Sequence, residues 1–195
     1  MHWIHRTALS AALLAVVAIA ASSCSKNESG QGAGAPADSA AQAAAAMTPV
    51  QRGEYLVTVL GCHDCHTPGY FYGAPDMNRA LSGSELGWQG PWGVSYARNL
   101  TPDSTGLAAW TDEEILRALQ NGVKKDGSPI APPMPWPDFA HLTKSDAMAV
   151  VAYLRSIPPV HHVPPARVPP GKKATGSIIV FPPAPDWDKP QKPAS

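Results

Sequence analysis

Cys62-His63-Asp64-Cys65-His66 is a C-x-x-C-H run, and its reading decides more than any other stretch of this 195-residue chain. Two thiols three positions apart can each add to a vinyl group of haem, and a histidine directly after the second can reach the iron. The run therefore reads as covalent c-type haem attachment. Two other chemistries use similar residues. A structural zinc site wants four protein ligands, and beyond Cys62, Cys65 and His66 the chain has one further cysteine, Cys24, far away in sequence. A thioredoxin-like pair would sit at a strand-to-helix turn in a βαβ pattern, and the sequence around Cys62 shows no such alternation.

Working outward, Val50 to Gly61 carries Tyr55, Leu56, Val59 and Leu60 at helical spacing and runs into the haem motif, with Gly53 as a point of close contact. Thr111-x-x-Glu114 is a capping box that opens a helix over Asp112 to Asn121, with Ile115, Leu116 and Leu119 on one face and Gly122 as the stop. Thr143-x-x-Asp146 caps a last helix whose apolar face is Ala147, Val150, Val151 and Leu154, ended by Pro158-Pro159. The expectation is an all-α domain over residues 49–160, a few helices around one covalently bound haem, with the first and last helices crossing. Residues 67–110 are rich in Gly, Pro, Ser and Asn and hold Trp88, Trp92 and Trp110, too long for a mere connector. Such a long irregular loop can wrap a haem edge. Its aromatic residues can cover porphyrin or pack the loop onto the helices.

An iron held by His66 needs a sixth ligand or an open site, which separates an electron carrier from a haem enzyme or gas sensor. Met134 lies in Pro132-Pro133-Met134-Pro135-Trp136, where prolines stiffen the backbone and present a flexible thioether from a loop between helices. It is the candidate sixth ligand, giving His66 and Met134 as the metal ligands. The competitors are Met148, read as a packing residue of the last helix, Met77 in the long loop, and His141 near that helix's start. His161 and His162 stand in a polyproline context and read as solvated or metal-scavenging.

The beginning of the chain bears on compartment. Met1 to Arg6 is a short basic n-region, and Ala8 to Ala21 is an apolar stretch too short to span a bilayer comfortably, the pattern of a signal peptide. Ala21-Ser22-Ser23-Cys24 resembles the bacterial lipoprotein cleavage box, which implies a signal peptide over 1–23 and a lipid on Cys24. An ordinary signal-peptidase site with a free thiol is the alternative. Ser25 after the cysteine is similar to lipoproteins sorted to the outer membrane rather than the inner. Residues 24–48 are mostly Ala, Gly, Ser, Gln and Asn, with too little apolar surface to offset the entropy of ordering. Flexible-chain scaling gives this linker an rms span of roughly 25 Å.

Composition fits one globular domain, at 44% hydrophobic with charges balanced 15 against 15. The balance is uneven: 8 basic and 11 acidic residues in 49–160, 5 basic and 2 acidic in 161–195. A slightly acidic body gives weak steering at most and no nucleic-acid signature. Residues 161–195 form a proline-rich extended tail whose apolar cluster is Ile178-Ile179-Val180-Phe181, strapped to the domain or to a partner.

Several separate motifs occur in order. They are Arg52-Gly53-Glu54-Tyr55-Leu56, Gly61-Cys62-His63-Asp64-Cys65-His66-Thr67-Pro68, Asn99-Leu100-Thr101-Pro102-Asp103, Gly106-Leu107, Trp110-Thr111, Ala118-Leu119-Gln120-Asn121-Gly122, Pro133-Met134-Pro135-Trp136 and Ala152-Tyr153-Leu154-Arg155-Ser156-Ile157-Pro158-Pro159-Val160. Together, over about residues 50–160, they resemble a class I c-type cytochrome domain of the kind in cytochrome subunits of bacterial membrane-bound alcohol and aldehyde dehydrogenases. The resemblance implies a cytochrome c fold around one haem c, thioether links at Cys62 and Cys65, His66 as proximal and Met134 as distal ligand, and Asn99 to Pro102 near the haem edge. One C-x-x-C-H rather than three, and the lipoprotein-like start, depart from those subunits. The expectation is a one-electron carrier, itself transforming no substrate, lipid-anchored on the periplasmic side of a bacterial envelope. Its partners would be redox proteins such as a dehydrogenase, an oxidase or another cytochrome.

Overall fold

The computed structural model describes residues 46–182. Cys24, the signal peptide and nearly all of the linker lie outside the described residues.

Helix α1, Pro49–Val59, starts where Thr48 and Gln51 close a capping box and Pro49 takes the first turn, where its missing N–H costs nothing. Its buried positions are Gly53, Leu56 and Val57, while Tyr55 and Val59 are exposed. Of the expected stripe Leu56 and Leu60 pack inward, whereas Tyr55 and Val59 are exposed and the buried face extends instead through Gly53 and Val57. Tyr55 instead lies under the Arg52 guanidinium, 5.4 Å from its ring centre. Gly61 turns the chain with φ +67°, and the short helix α2, Cys62–His66, follows.

Helix α3, Asp112–Asn121, has the expected Thr111–Glu114 capping box and ends at Gly122 with φ +65°. A further short helix α4, Trp136–Phe139, buries Phe139, and α5, Lys144–Ser156, is capped by the Thr143 side chain accepting from the Asp146 N–H. Helices α1 and α5 share the most extensive helix contact and cross at Gly53. A Cβ there would lie 2.0 Å from the Ala149 carbonyl oxygen and 2.7 Å from Tyr153 Cβ. Arg52 and Asp146 pair at 2.8 Å beside the crossing. The core gathers Leu56 and Val57 from α1, Ile115 and Leu119 from α3, Phe139, and Ala147, Val150, Val151 and Leu154 from α5, with Leu81 and Leu107 from the long loop.

The crossing gives a direct test. Gly53→Ala gains helix propensity of up to ~1 kcal/mol, but the methyl meets backbone, and overpacking costs about 1–3 kcal/mol. A net loss of roughly 1–2 kcal/mol is expected, several degrees in the midpoint of thermal unfolding. An unchanged or higher midpoint would show that the two helices have room to part.

The all-α expectation needs correction. Strands β1, Gly87–Gly90, and β2, Gly93–Tyr96, form an antiparallel hairpin within the long loop, and β3, Ile178–Val180, pairs parallel to β1, in the order β2-β1-β3. All four β2 residues are buried, so the hydrophobic alternation that marks a strand is missing. The third strand comes from the tail, which no local pattern couples to Gly87. Phe181 continues the contact, its ring 6.1 Å from that of Trp88 and 5.7 Å from that of Trp92.

The rest of the loop is pinned by Asn99, only 2% exposed. Its Oδ1 accepts from the Thr101 N–H and hydroxyl at 2.9 and 2.8 Å, and its Nδ2 donates to Thr105 Oγ1 and the Val160 carbonyl at 2.9 and 2.8 Å. Arg155 of α5 binds Asp112 and the carbonyls of Leu107 and Trp110. Among the described residues no helix is long and apolar enough to cross a membrane.

Candidate functional site

Helix α2 presents the two thiols and the histidine as one short unit. Cys62 and Cys65 are both half-buried and free, and Cys62 packs against the core. Burial pushes each thiol up to about 11, so both are neutral at ordinary pH. A redox-active dithiol depends on thiolate, which this setting disfavours. Among the described residues no cluster of three or more His, Cys, Asp or Glu is placed to hold a metal ion, so Cys62, Cys65 and His66 do not converge as zinc ligands would.

Among the described residues the His66 ring is held by one hydrogen bond. Its Nδ1 lies 2.7 Å from the Arg98 carbonyl oxygen. A carbonyl can only accept, so Nδ1 carries the proton and Nε2 keeps its lone pair, the tautomer a metal-binding imidazole needs. Burial lowers the His66 pKa, against the pull of the Arg98 carbonyl, and favours that neutral form. The His66 backbone is fixed as well, since the Gly83 N–H donates to its carbonyl at 2.8 Å. Thr67 extends the frame: its hydroxyl lies 2.9 Å from His63 Nδ1 and accepts from the Leu81 N–H at 3.0 Å.

Met134 is partly buried against the core, on the loop between α3 and α4. Three contacts brace that loop. The Ile130 N–H donates to the Gly122 carbonyl at 2.7 Å, Ser95 Oγ donates to the Pro132 carbonyl at 2.5 Å, and the Trp136 indole covers Gly122 so closely that a Cβ there would sit 2.4 Å from the ring. The hairpin therefore reaches the Met134 loop through Ser95, while the chain just after it reaches His66 through Arg98.

The other candidates divide clearly. Met148 packs on the core, as a helix residue should, whereas Met77 is 58% exposed and His141 is exposed. His161 is largely exposed beside Asp103, at 3.3 Å. The solvated reading fails for His162, whose Nδ1 and Nε2 lie 2.8 Å from the Ser82 carbonyl and 3.1 Å from Glu85 Oε1. Trp88 packs edge-on to Phe71 at 4.9 Å between ring centres, so its ring is used for packing the loop.

The donor set fits haem. Two neutral thiols and an imidazole with its Nε2 lone pair occupy one helix, and a soft thioether stands on a braced loop. The indole N–H of Trp88 is buried without an acceptor among the described residues, and a haem brings carboxylates that such a donor can satisfy. Sequence reading missed Arg98 because its part is played by a backbone carbonyl, which every residue carries. Trp88 was named as an aromatic that could cover porphyrin, but its unpaired N–H shows only after folding.

These features fit a domain like those of c-type cytochromes, and the proteins the chain is similar to point the same way. No family model matches the chain. It is 36% identical over 128 residues to the cytochrome c subunit of a quinone alcohol dehydrogenase from Gluconacetobacter polyoxogenes, 62% of this chain and 26% of that protein. The corresponding subunit from Gluconobacter oxydans is 35% identical over 113 residues, 57% of this chain and 22% of its own length. A dihaem cytochrome c-type protein of Cereibacter sphaeroides is 30% identical over 113 residues, 55% of this chain and 36% of that protein. The chain thus spans about a quarter of the length of the dehydrogenase subunits it matches. The similarity supports a cytochrome c domain.

Proposed function

We propose that the protein is a membrane-tethered, single-haem electron carrier with His66 and Met134 as iron ligands, passing electrons between redox proteins such as a dehydrogenase and a terminal oxidase. The observation that carries the reading is the His66 imidazole, fixed by Arg98 in its metal-binding tautomer on the same short helix as two neutral thiols. Haem supplies a one-electron couple at its iron. Cys62 and Cys65 would hold it covalently and His66 and Met134 would ligate its iron, where a thioether would favour the ferrous state and raise the potential. The braced Met134 loop limits rearrangement between oxidation states.

The visible spectrum of the purified protein, with and without carbon monoxide, tests this. A low-spin spectrum indifferent to carbon monoxide, with haem that resists acid-acetone extraction, is the expected result. Ready carbon monoxide binding would point instead to a haem enzyme or gas sensor with an open sixth position. Haem that washes out would remove the covalent reading.

The tether belongs to the same proposal. A lipid on Cys24 would supply acyl chains worth about 0.8 kcal/mol per buried CH₂, ample for stable attachment, and hold the domain on the periplasmic face of a membrane, the outer one favoured by Ser25. Cys24→Ser is expected to release a spectrally normal, soluble cytochrome. An unmodified Cys24 in mass spectra of the native N-terminus would rule the tether out.

A further inference from the structure

We propose that the segment from Val160 to Val168, beyond the last helix, is a strap that sets the proximal ligand, with Arg98 as the positioning residue. The proposal rests on the reading of His66 as an iron ligand and adds what controls it.

The Arg98 carbonyl that receives the His66 Nδ1–H is tied down by its own side chain. Arg98 Nη1 donates to the carbonyls of Pro164 and Pro165, at 3.1 and 3.0 Å. Pro164 is fully buried although its neighbours are exposed. Its ring fills the space over Gly83, where a Cβ would lie 2.4 Å from Pro164 Cγ, and Gly83 is the residue whose N–H holds the His66 carbonyl. One buried proline thus reaches both the ring and the backbone of His66, each through a single intermediary.

The strap is fixed on either side of that wedge. The Val160 N–H donates to Thr101 Oγ1 at 3.1 Å, His162 is seated between Ser82 and Glu85, and Val168 exchanges two backbone hydrogen bonds with Val94 at 2.8 and 2.9 Å. Prolines lower the entropy lost in laying such a segment down. An imidazole whose Nδ1–H meets a firmly held acceptor is a more basic ligand at Nε2 and keeps one ring orientation. A more basic proximal ligand stabilises ferric iron, so slackening the strap should raise the potential.

The test compares holoprotein variants by redox titration and by electron paramagnetic resonance of the ferric state, beside their thermal midpoints. Arg98→Ala and Pro164→Gly should keep covalent haem, lower the ferric-to-ferrous ratio at a fixed applied potential by about tenfold, ~59 mV for one electron, and shift the resonance positions. The double variant should shift little beyond either single one, and Arg98→Lys should recover most of the wild-type potential. Gly53→Ala, which disturbs the α1–α5 crossing outside the strap, should lower stability with the potential unchanged. Wild-type potential and resonances in both Arg98→Ala and Pro164→Gly would overturn the proposal and leave the segment a stabilising strap only. If Arg98→Ala fails to fold, Pro164→Gly and Arg98→Lys decide. A wild-type protein whose ferric resonances lack histidine ligation would overturn the ligand reading itself, a separate result.

Discussion

Met134→Ala is expected to turn a low-spin, closed haem into one that is high-spin and open to exogenous ligands. Alanine retains no donor, and Pro133 and Pro135 on either side hold the backbone so that the loop cannot swing a replacement into place. The nearest sequence competitors are badly placed for the task, Met148 being committed to the core and Met77 exposed on a separate turn. Losing the thioether removes the preference for ferrous iron, so the potential should fall, shifting the ferric-to-ferrous balance by at least about tenfold, ~59 mV or more. Carbon monoxide should then bind the reduced protein. A spectrum and potential equal to the wild type would place the sixth ligand elsewhere, with Met77 and His141 next in line.

The largest loss is expected when both attachment points go. Cys62→Ala with Cys65→Ala removes every thioether link while leaving His66 and its Arg98 partner intact, so any haem that enters is held by coordination and packing alone. Acid-acetone should extract essentially all of it, against essentially none from the wild type. Each single variant should retain haem through the remaining thiol at lower yield, because both thiols sit in the same partly buried setting. Retention of haem by the double variant under these conditions would show that attachment does not run through this helix.

Much of the helical body was legible because its signals are local. Thr111 with Glu114, Gly122, and the apolar stripe of the last helix are each decided within one or two turns of chain, and they recur in the folded molecule at the same residues. Gly53 was legible as a close-contact glycine for the same reason. What escaped is non-local. Strand β2 of the Gly87–Tyr96 hairpin is buried throughout and so has no alternation, and the third strand of the sheet arrives from residue 178. On α1, Leu56 and Leu60 pack inward as read, but Tyr55 and Val59 are exposed although large and apolar, because the face that meets α5 is centred on Gly53 and Val57. At the site, Cys62, Cys65, His66 and Met134 can be named as candidates from sequence because their chemistry resides in side chains. The carbonyl of Arg98, the buried seat of His162 and the wedge of Pro164 cannot, since backbone acceptors and prolines look alike wherever they stand.

The parallel pairing of β3 with β1 has a consequence for how the molecule comes together. Ninety-one residues separate Gly87 from its partner Ile178, and parallel strands need a long crossover between them. Contacts of that separation form late, after the nearby helices have already repaid their own loop closures. Until then β1 stands with one unpaired edge and Trp88 lacks the Phe181 ring against it, an opening to association with other chains. The tail that finishes the sheet also brings Pro164 over Gly83, so the setting of His66 proposed above would be completed together with the sheet.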